Sequence, residues 1–359
     1  MRSFAIQGFV NMLEKRNDFI AFFNALTSKQ LPFVIFRLPQ SEEIILYQQE
    51  NNNHYTTASI EEKGFVFAPF KASSVYTFIP NQVEKRFALP QVIIKNTPIN
   101  TQSLSKTKDY YHLLVEAAKE TIKAKTLKKV VVSRIHEHKY SGSIAESILG
   151  LIDNYPNAMV YYWSHPNTGN WMGASPETLL ESNDGKFKTM ALAGTLVFKN
   201  NQRPSWSLKE VEEQKMVADF IYYQLKTIYP KSAITVSPTY TKRAGNLVHL
   251  CTDFEFPHES TRILDIVRLL HPTPAVAGIP VKDSLEFLNK HETHDRKYYA
   301  GFFGPIQKNN VRLFVNLRCA EIHKNNLNLY VGGGITALSD LETEWLESER
   351  KAETLLRVL

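Results

Sequence analysis

The sequence predicts an α+β fold with largely antiparallel sheets. Short runs rich in β-branched and aromatic residues follow one another through polar turns, as in PFVIFRLP, EEIILYQQ, AMVYYWSHP and NWMGAS. Helical patterns arrive singly or in pairs, without the regular βαβα alternation of a doubly wound sheet. There is no internal repeat or low-complexity segment.

The elements follow in order. To about Pro98 the chain alternates strand-like runs with polar breaks, adding KGFVFAPF and VYTFIP to the first two runs. The polar text from Asn96 to Lys108 reads as a linker or surface loop. KDYYHLLVEAAKETIKAK has helical apolar spacing at Leu113, Ala117 and Thr121, with Leu114 and Ala118 beside them. KKVVVSRIHEH is a strand, SIAESILGLIDNYP a helix ending near Pro156, and FKTMALAGTL a further strand. SLKEVEEQKMVADFIYYQLKTIY is a long helix opened by a capping box at Ser207 and Glu210. TRILDIVRLL and KDSLEFLNKH are helices. VRLFVNLRCAEIHKNNLNLYVGGG reads as a hairpin around Lys324 to Asn326 followed by a glycine turn. The last helix is expected to begin at Ser339, with Glu342 completing a second capping box.

With 43% hydrophobic and 22% charged residues, the 359-residue chain has a globular balance and can bury a core without disulfides. The formal charge of +6 suits anionic ligands. No Lys/Arg block, RNP-like run or zinc-finger spacing points to nucleic acid. Cys251 and Cys319 lie in apolar contexts and read as small buried residues. Gln7, Asn11 and Glu14 interrupt the N-terminus too early for a signal peptide, and no run reaches membrane-spanning length. A cytoplasmic location without membrane contact is expected.

Several residues stand out for chemistry, each with a plainer alternative. Glu213, Val217, Ile221 and Leu225 step by four along one helix face, so Glu213 continues an inward stripe. A buried carboxylate needs a cation, a donor or a proton; the alternative is a solvated glutamate in the first turn. Glu344, Glu347 and Lys351 are neighbours on the last helix, where a surface ion pair is the simplest reading. Gly332-Gly333-Gly334 could bring backbone N–H groups to an anion, or make an ordinary turn. Lys129 and Arg134 bracket an apolar strand core, and a lysine at a strand start usually faces solvent. Glu177 in GASPETLLE opens a turn, and His249 reads as a core histidine on an apolar strand.

From about Lys128 onward the chain resembles the chorismate-utilising enzymes, which include isochorismate, salicylate, anthranilate and aminodeoxychorismate synthases. The matching segments occur in family order: KKVVVSR, GASPETLLE, ALAGT, LKEVEEQKMV, VHLCTDFE, LLHPTPAVAGIP, DRKYYAGFFG, LFVNLRCAEI, GGGI and EWLESERKAETLL. The resemblance implies one α+β domain over 1–359, with two antiparallel sheets packed face to face and helices outside. Within it, 1–100 is the variable part and 106–359 the matching catalytic part.

The resemblance also implies residue roles. Glu213 and Glu347 match the ligands of Mg²⁺, a cation that prefers a few carboxylates plus water and substrate oxygens. Arg318 matches the arginine that grips the enolpyruvyl carboxylate, and Tyr299 a position near that group. Lys351 matches a lysine close to the ring carboxylate. Gly194, Thr195 and Gly333 match backbone and hydroxyl contacts to substrate, and His249 a histidine beside the ring. Lys129 matches the base that deprotonates water in water-using members, and Glu177 the acid that protonates the departing hydroxyl. His271-Pro272-Thr273-Pro274 resembles the variant associated with isochorismate synthases. The expected activity is therefore chorismate to isochorismate conversion, with salicylate synthase as the alternative. No glutaminase subunit is expected, since water replaces ammonia, and family members are often monomers. The product could feed either menaquinone or a catechol siderophore.

Overall fold

The computed structural model describes residues 2–58, 62–71, 73–88, 105–183, 185–198, 202–231, 233–258, 263–308 and 310–359. Among these, a nine-stranded sheet runs in the order Gly278–Ile279, Lys129–Lys139, Asn326–Ile335, Cys319–Ile322, Gly169–Ser175, Met159–His165, Phe33–Arg37, Glu43–Gln48, Val83–Ala88. A ten-stranded sheet runs Thr235–Val236, Leu247–Pro257, Lys186–Val197, Thr178–Asn183, Asn310–Val315, Phe302–Gln307, Gly64–Ala68, Tyr76–Pro80, Thr56–Thr57, with Tyr240–Ala244 also paired to Leu247–Pro257. The pairings described are antiparallel, as the short polar turns predict.

Strand alternation sorts the core. In Phe33–Arg37, Val34 and Phe36 enter one hydrophobic cluster with Phe65, Phe67 and Phe303 of the other sheet. Phe33 and Ile35 face the opposite way, into a second cluster with Phe19, Phe23, Ile148, Ala352 and Leu355 from three helices. The nine-stranded sheet is thus covered on both faces, which explains why its strands are such continuous apolar runs. Residues 33–88 contribute strands to both sheets.

Several expectations need correction. The N-terminus forms a helix, Arg2–Ser28, that the strand-like reading of the first part did not anticipate. The expected linker over 96–108 lies mostly outside the described residues, and helix Ser105–Lys123 takes its last four positions. Of the apolar spacing assigned to that helix, Leu113 is 65% exposed, while Tyr111, Leu114, Val115, Ala118 and Ile122 are buried. The last helix runs Leu341–Leu356 and is capped by Asp340, which accepts from Thr343 N at 2.9 Å. Ser339 instead accepts from Thr336 N one turn earlier, and Glu342 pairs with Lys108, so the second capping box does not form. The first box holds: the Glu210 carboxylate accepts from Ser207 N at 3.0 Å. Gly332–Gly334 are not a turn but the end of strand Asn326–Ile335, paired to Val131–Ser133.

Candidate active site

Four long strands and two helices converge on one narrow cavity of about 70 Å³. Its walls include Glu177, Gly194, Thr195, Glu213, His249, Tyr299, Arg318 and Lys351, eight of the eleven site residues expected from the sequence. Lys129, Glu347 and Gly333 are not on its surface.

Lys129 starts strand Lys129–Lys139 and is fully buried, not solvent-facing. Residues two apart in a strand share a face, so Lys129 points the same way as Val131, which lines the cavity. Its Nζ lies 3.1 Å from Glu213 Oε1. The angle falls short of a hydrogen bond, so the ammonium has a counter-charge but no aligned acceptor. Behind the strand, the Arg296 guanidinium donates to Val131 O at 2.5 Å and Val276 O at 2.8 Å. This ties the strand to the loop after His271-Pro272-Thr273-Pro274, whose Ala275 and Val276 line the cavity.

Glu213 occupies the buried face of helix Leu208–Ile228 together with Val217, Ile221 and Leu225, as its spacing predicts. Glu347 and Lys351 form an ion pair at 2.7 Å that is mostly buried rather than a surface pair. Lys351 Nζ also donates to Gly332 O at 2.8 Å. A third pair, Lys209 with Glu344 at 2.5 Å, completes the cluster. Burial would push the Lys209 ammonium down, but Glu344, Glu347 and Glu213 outweigh it and raise it, which places three carboxylates around one cation. Burial and the charge of Glu347 push the Glu344 carboxyl up. Glu347 is also pushed up by burial, but Lys351 and Lys209 win and hold it low.

Glu177, also in the cavity lining, links strands Gly169–Ser175 and Thr178–Asn183 and is 3% exposed. Burial pushes its carboxyl up to about 8 despite the charge of Lys129. The strand Lys186–Val197 bulges between Ala193 and Thr195. Gly194 sits at the bulge with φ of +72°, and a Cβ there would lie 3.0 Å from Glu210 Cβ. The bulge exposes Gly194 O, which accepts from His249 Nδ1 at 3.0 Å. That bond leaves Nε2 as an acceptor, 3.4 Å from the Arg318 guanidinium. Burial and the nearby Arg318 push the His249 imidazole down to about 3, so it is neutral. Among the described residues, Arg318 itself has only two long hydrogen-bond contacts, to His249 and to Thr354 Oγ1 at 3.4 Å, and burial lowers it to about 10. Its fork is therefore open toward the cavity. Tyr299 stacks on Tyr330 at 5.5 Å, and burial raises its hydroxyl.

The glycine run contributes differently from expectation. Gly332 and Gly334 pair with Ser133 and Val131 and line the cavity. Gly333 pairs with Val132 on the other face, where a Cβ would meet Glu344 Oε2 and Tyr111 OH at 3.0 Å. The period of two along a strand turns Gly333 away from the cavity that its two neighbours line. The sequence reading passed over Lys209, and it took Glu344 only as a helix neighbour of Glu347 and Lys351 in a surface ion pair.

Over residues 30–359 the chain matches the family described as chorismate binding enzyme. The chain belongs to that family. Among relatives of this chain, isochorismate synthase MenF of Escherichia coli (strain K12) is 28% identical over 256 residues, covering 68% of the chain and 59% of MenF. Isochorismate synthase EntC of the same organism is 28% identical over 272 residues, covering 72% and 69%. The alignment with MenF thus spans less than two thirds of that relative's length. A putative 2,3-dihydroxybenzoate-specific isochorismate synthase, DhbC from Bacillus anthracis, has a crystal structure that superposes with a TM-score of 0.77. It covers 92% of this chain and 96% of its own at 22% identity, which establishes the common fold of two antiparallel sheets. Among the described residues, no helix is long and apolar enough to cross a membrane.

Proposed function

We propose that this chorismate-binding chain interconverts chorismate and isochorismate. Water attacks ring C2 while the C4 hydroxyl departs, with an allylic shift of the double bonds. Lys129, acting as the neutral amine, takes a proton from the attacking water, and Glu177 gives one to the leaving hydroxyl, so water enters and water leaves. The observation that supports this most is the state of Glu177. A carboxyl held near 8 by burial is a neutral acid at physiological pH, with a proton to donate into the cavity it lines.

Other side chains bind and orient. Arg318 offers a planar fork with weak internal partners to the enolpyruvyl carboxylate, beside Tyr299. Neutral His249 lies along the ring, and Lys351 meets the ring carboxylate, with Gly194 and Thr195 closing one edge.

Mg²⁺ belongs to the same reading, held by Glu213 and Glu347. The donor set suits it: hard carboxylate oxygens converge on Lys209, and Glu344 Oε2 is buried with no hydrogen-bond partner among the described residues. Lys129 and Lys351 now supply the charge that the ion would supply to those two carboxylates. When bound, the ion would neutralise the ring carboxylate of the substrate. Because water is the nucleophile, no glutaminase partner is required, and a cytoplasmic monomer suffices.

The deciding experiment is incubation of the purified protein with chorismate and Mg²⁺, followed by product analysis. Isochorismate is expected. Salicylate with stoichiometric pyruvate would move the assignment to the salicylate-forming alternative, and no turnover would overturn both.

A further inference from the structure

Beside the catalytic cavity lies a larger one of about 690 Å³, and the two share Pro176 and Arg318. It opens between the end of helix Ile144–Asn154, the turn at Lys242–Asn246 and the last turns of helix Leu341–Leu356. Five cationic side chains line it, Lys242, Arg243, Arg318, Arg350 and Arg357, against two acids, Asp153 and Glu353.

Both acids are already committed. Asp153 accepts from Arg16 at 2.7 Å, and Glu353 accepts from Arg357 at 2.8 Å and Asn246 at 3.1 Å. Among the described residues, no carboxylate lies within ion-pair distance of Lys242, Arg243 or Arg350. Lys242 Nζ touches only the Met190 sulfur, at 3.3 Å, and the Arg243 guanidinium rests over the Phe198 ring at 3.8 Å. Two lining atoms, Asn246 Oδ1 and Arg357 Nε, are buried without a hydrogen-bond partner among the described residues. Lys242 is paired with His249 across the strands, so it shares the face that His249 turns toward the catalytic cavity.

We propose that this basic cavity is a capture site for dianionic carboxylates, where substrate lands before it passes to Arg318. The proposal rests on the reading above, in which the substrate carries two carboxylates. Uncompensated cations in a walled cleft focus the field and raise the local concentration of anions, an effect that salt screens. The cavity is also of the size that ordinarily admits a small molecule, whereas the catalytic cavity is tight.

The test is the Arg243→Gln/Arg350→Gln double variant, with Lys at both positions as the charge-conserving control. Chorismate association is followed by stopped flow, and kcat and kcat/KM are measured at low and high ionic strength. Association and kcat/KM should fall about tenfold at low salt, with a shallower salt dependence. The lysine control should restore both, while kcat changes little. Association with the parent rate and parent salt dependence would overturn the capture site, as would a kcat that falls as steeply as kcat/KM. Product identity is read separately: a product other than isochorismate refutes the assigned reaction, while the association rates still decide the capture site.

Discussion

The Lys129 ammonium lies 3.1 Å from the Glu213 carboxylate, and Lys129 has no exposed surface. The approach depends on Gly334, across the sheet from Val131. A Cβ there would lie 2.2 Å from Glu213 Oε1 and 3.0 Å from Lys129 Cε. Strand, helix and strand, distant in the chain, thus meet where one residue has no side chain. The same pairing of lysine with glutamate repeats at Lys209 with Glu344 and Lys351 with Glu347. Each charge alone would be costly to bury, and together they nearly cancel.

Breaking the first pair should therefore cost stability as well as activity. Glu213→Gln leaves the Lys129 ammonium buried without a counter-charge, a situation that typically costs about 3–5 kcal/mol. The melting temperature should drop clearly. The Lys129→Met/Glu213→Gln double variant should lose less than the two single losses added together. Thermal melts of the four proteins check this, and additive losses would show that the pair is not coupled.

Glu177 fixes a pH dependence. Its folded value near 8 stands above the ordinary carboxyl value of 4.5, so the folded state holds a proton that the unfolded chain releases. The corresponding stability is present in full below about 4.5 and is lost as pH rises through about 8. Catalysis by the neutral acid should follow the same limb, with kcat declining above about 8. Glu177→Gln should lower kcat by about 10²–10⁴-fold and remove that part of the slope of stability against pH. Urea titrations at several pH values and a kcat profile read both. A variant with an unchanged slope would place the titration elsewhere.

The fold and much of the site are legible in the sequence because both rest on local patterns. Glu213 shows itself by continuing the stripe of Val217, Ile221 and Leu225, a period visible without coordinates. The strands show by their β-branched runs. What escapes is what depends on distant partners. Lys129 looks like a solvent-facing strand start until Gly334, from about two hundred residues later, is seen to make room for it. Gly333 looks equivalent to its neighbours until strand register sends it to the other face. The lysine partners of Glu213 and Glu344 come from separate elements, and no spacing rule announces them.

The glycine strand gives a positional contrast. Gly334→Ala drives a methyl group into the Glu213 carboxylate and the Lys129 side chain. Activity should fall about 100-fold or more, in line with misplaced catalytic groups. Gly333→Ala meets Glu344 and Tyr111 at 3.0 Å, outside the cavity, and should affect melting temperature more than kcat. Steady-state kinetics beside thermal melts separate the two. The reverse ranking would mean that Gly333, not Gly334, faces the reacting groups.

The source of the new hydroxyl oxygen tests the chemistry assigned to Lys129. If its amine deprotonates a solvent water, the product made in water enriched in heavy oxygen carries the label at the C2 hydroxyl. Lys129→Ala should then lower isochorismate formation by about 10²–10⁴-fold, the usual worth of a positioned base. Chorismate binding should survive, because the carboxylate grip is assigned to Arg318, whose hydrogen-bond contacts are His249 and Thr354 rather than Lys129. Mass spectrometry of the product and a binding titration of the variant give the two readouts. An unlabelled hydroxyl would mean intramolecular migration and would leave Lys129 no water to activate. A labelled product with a fully active Lys129→Ala variant would keep the solvent nucleophile but move the base to another residue. Glu213, the group Lys129 faces at 3.1 Å, would then be the first side chain to examine.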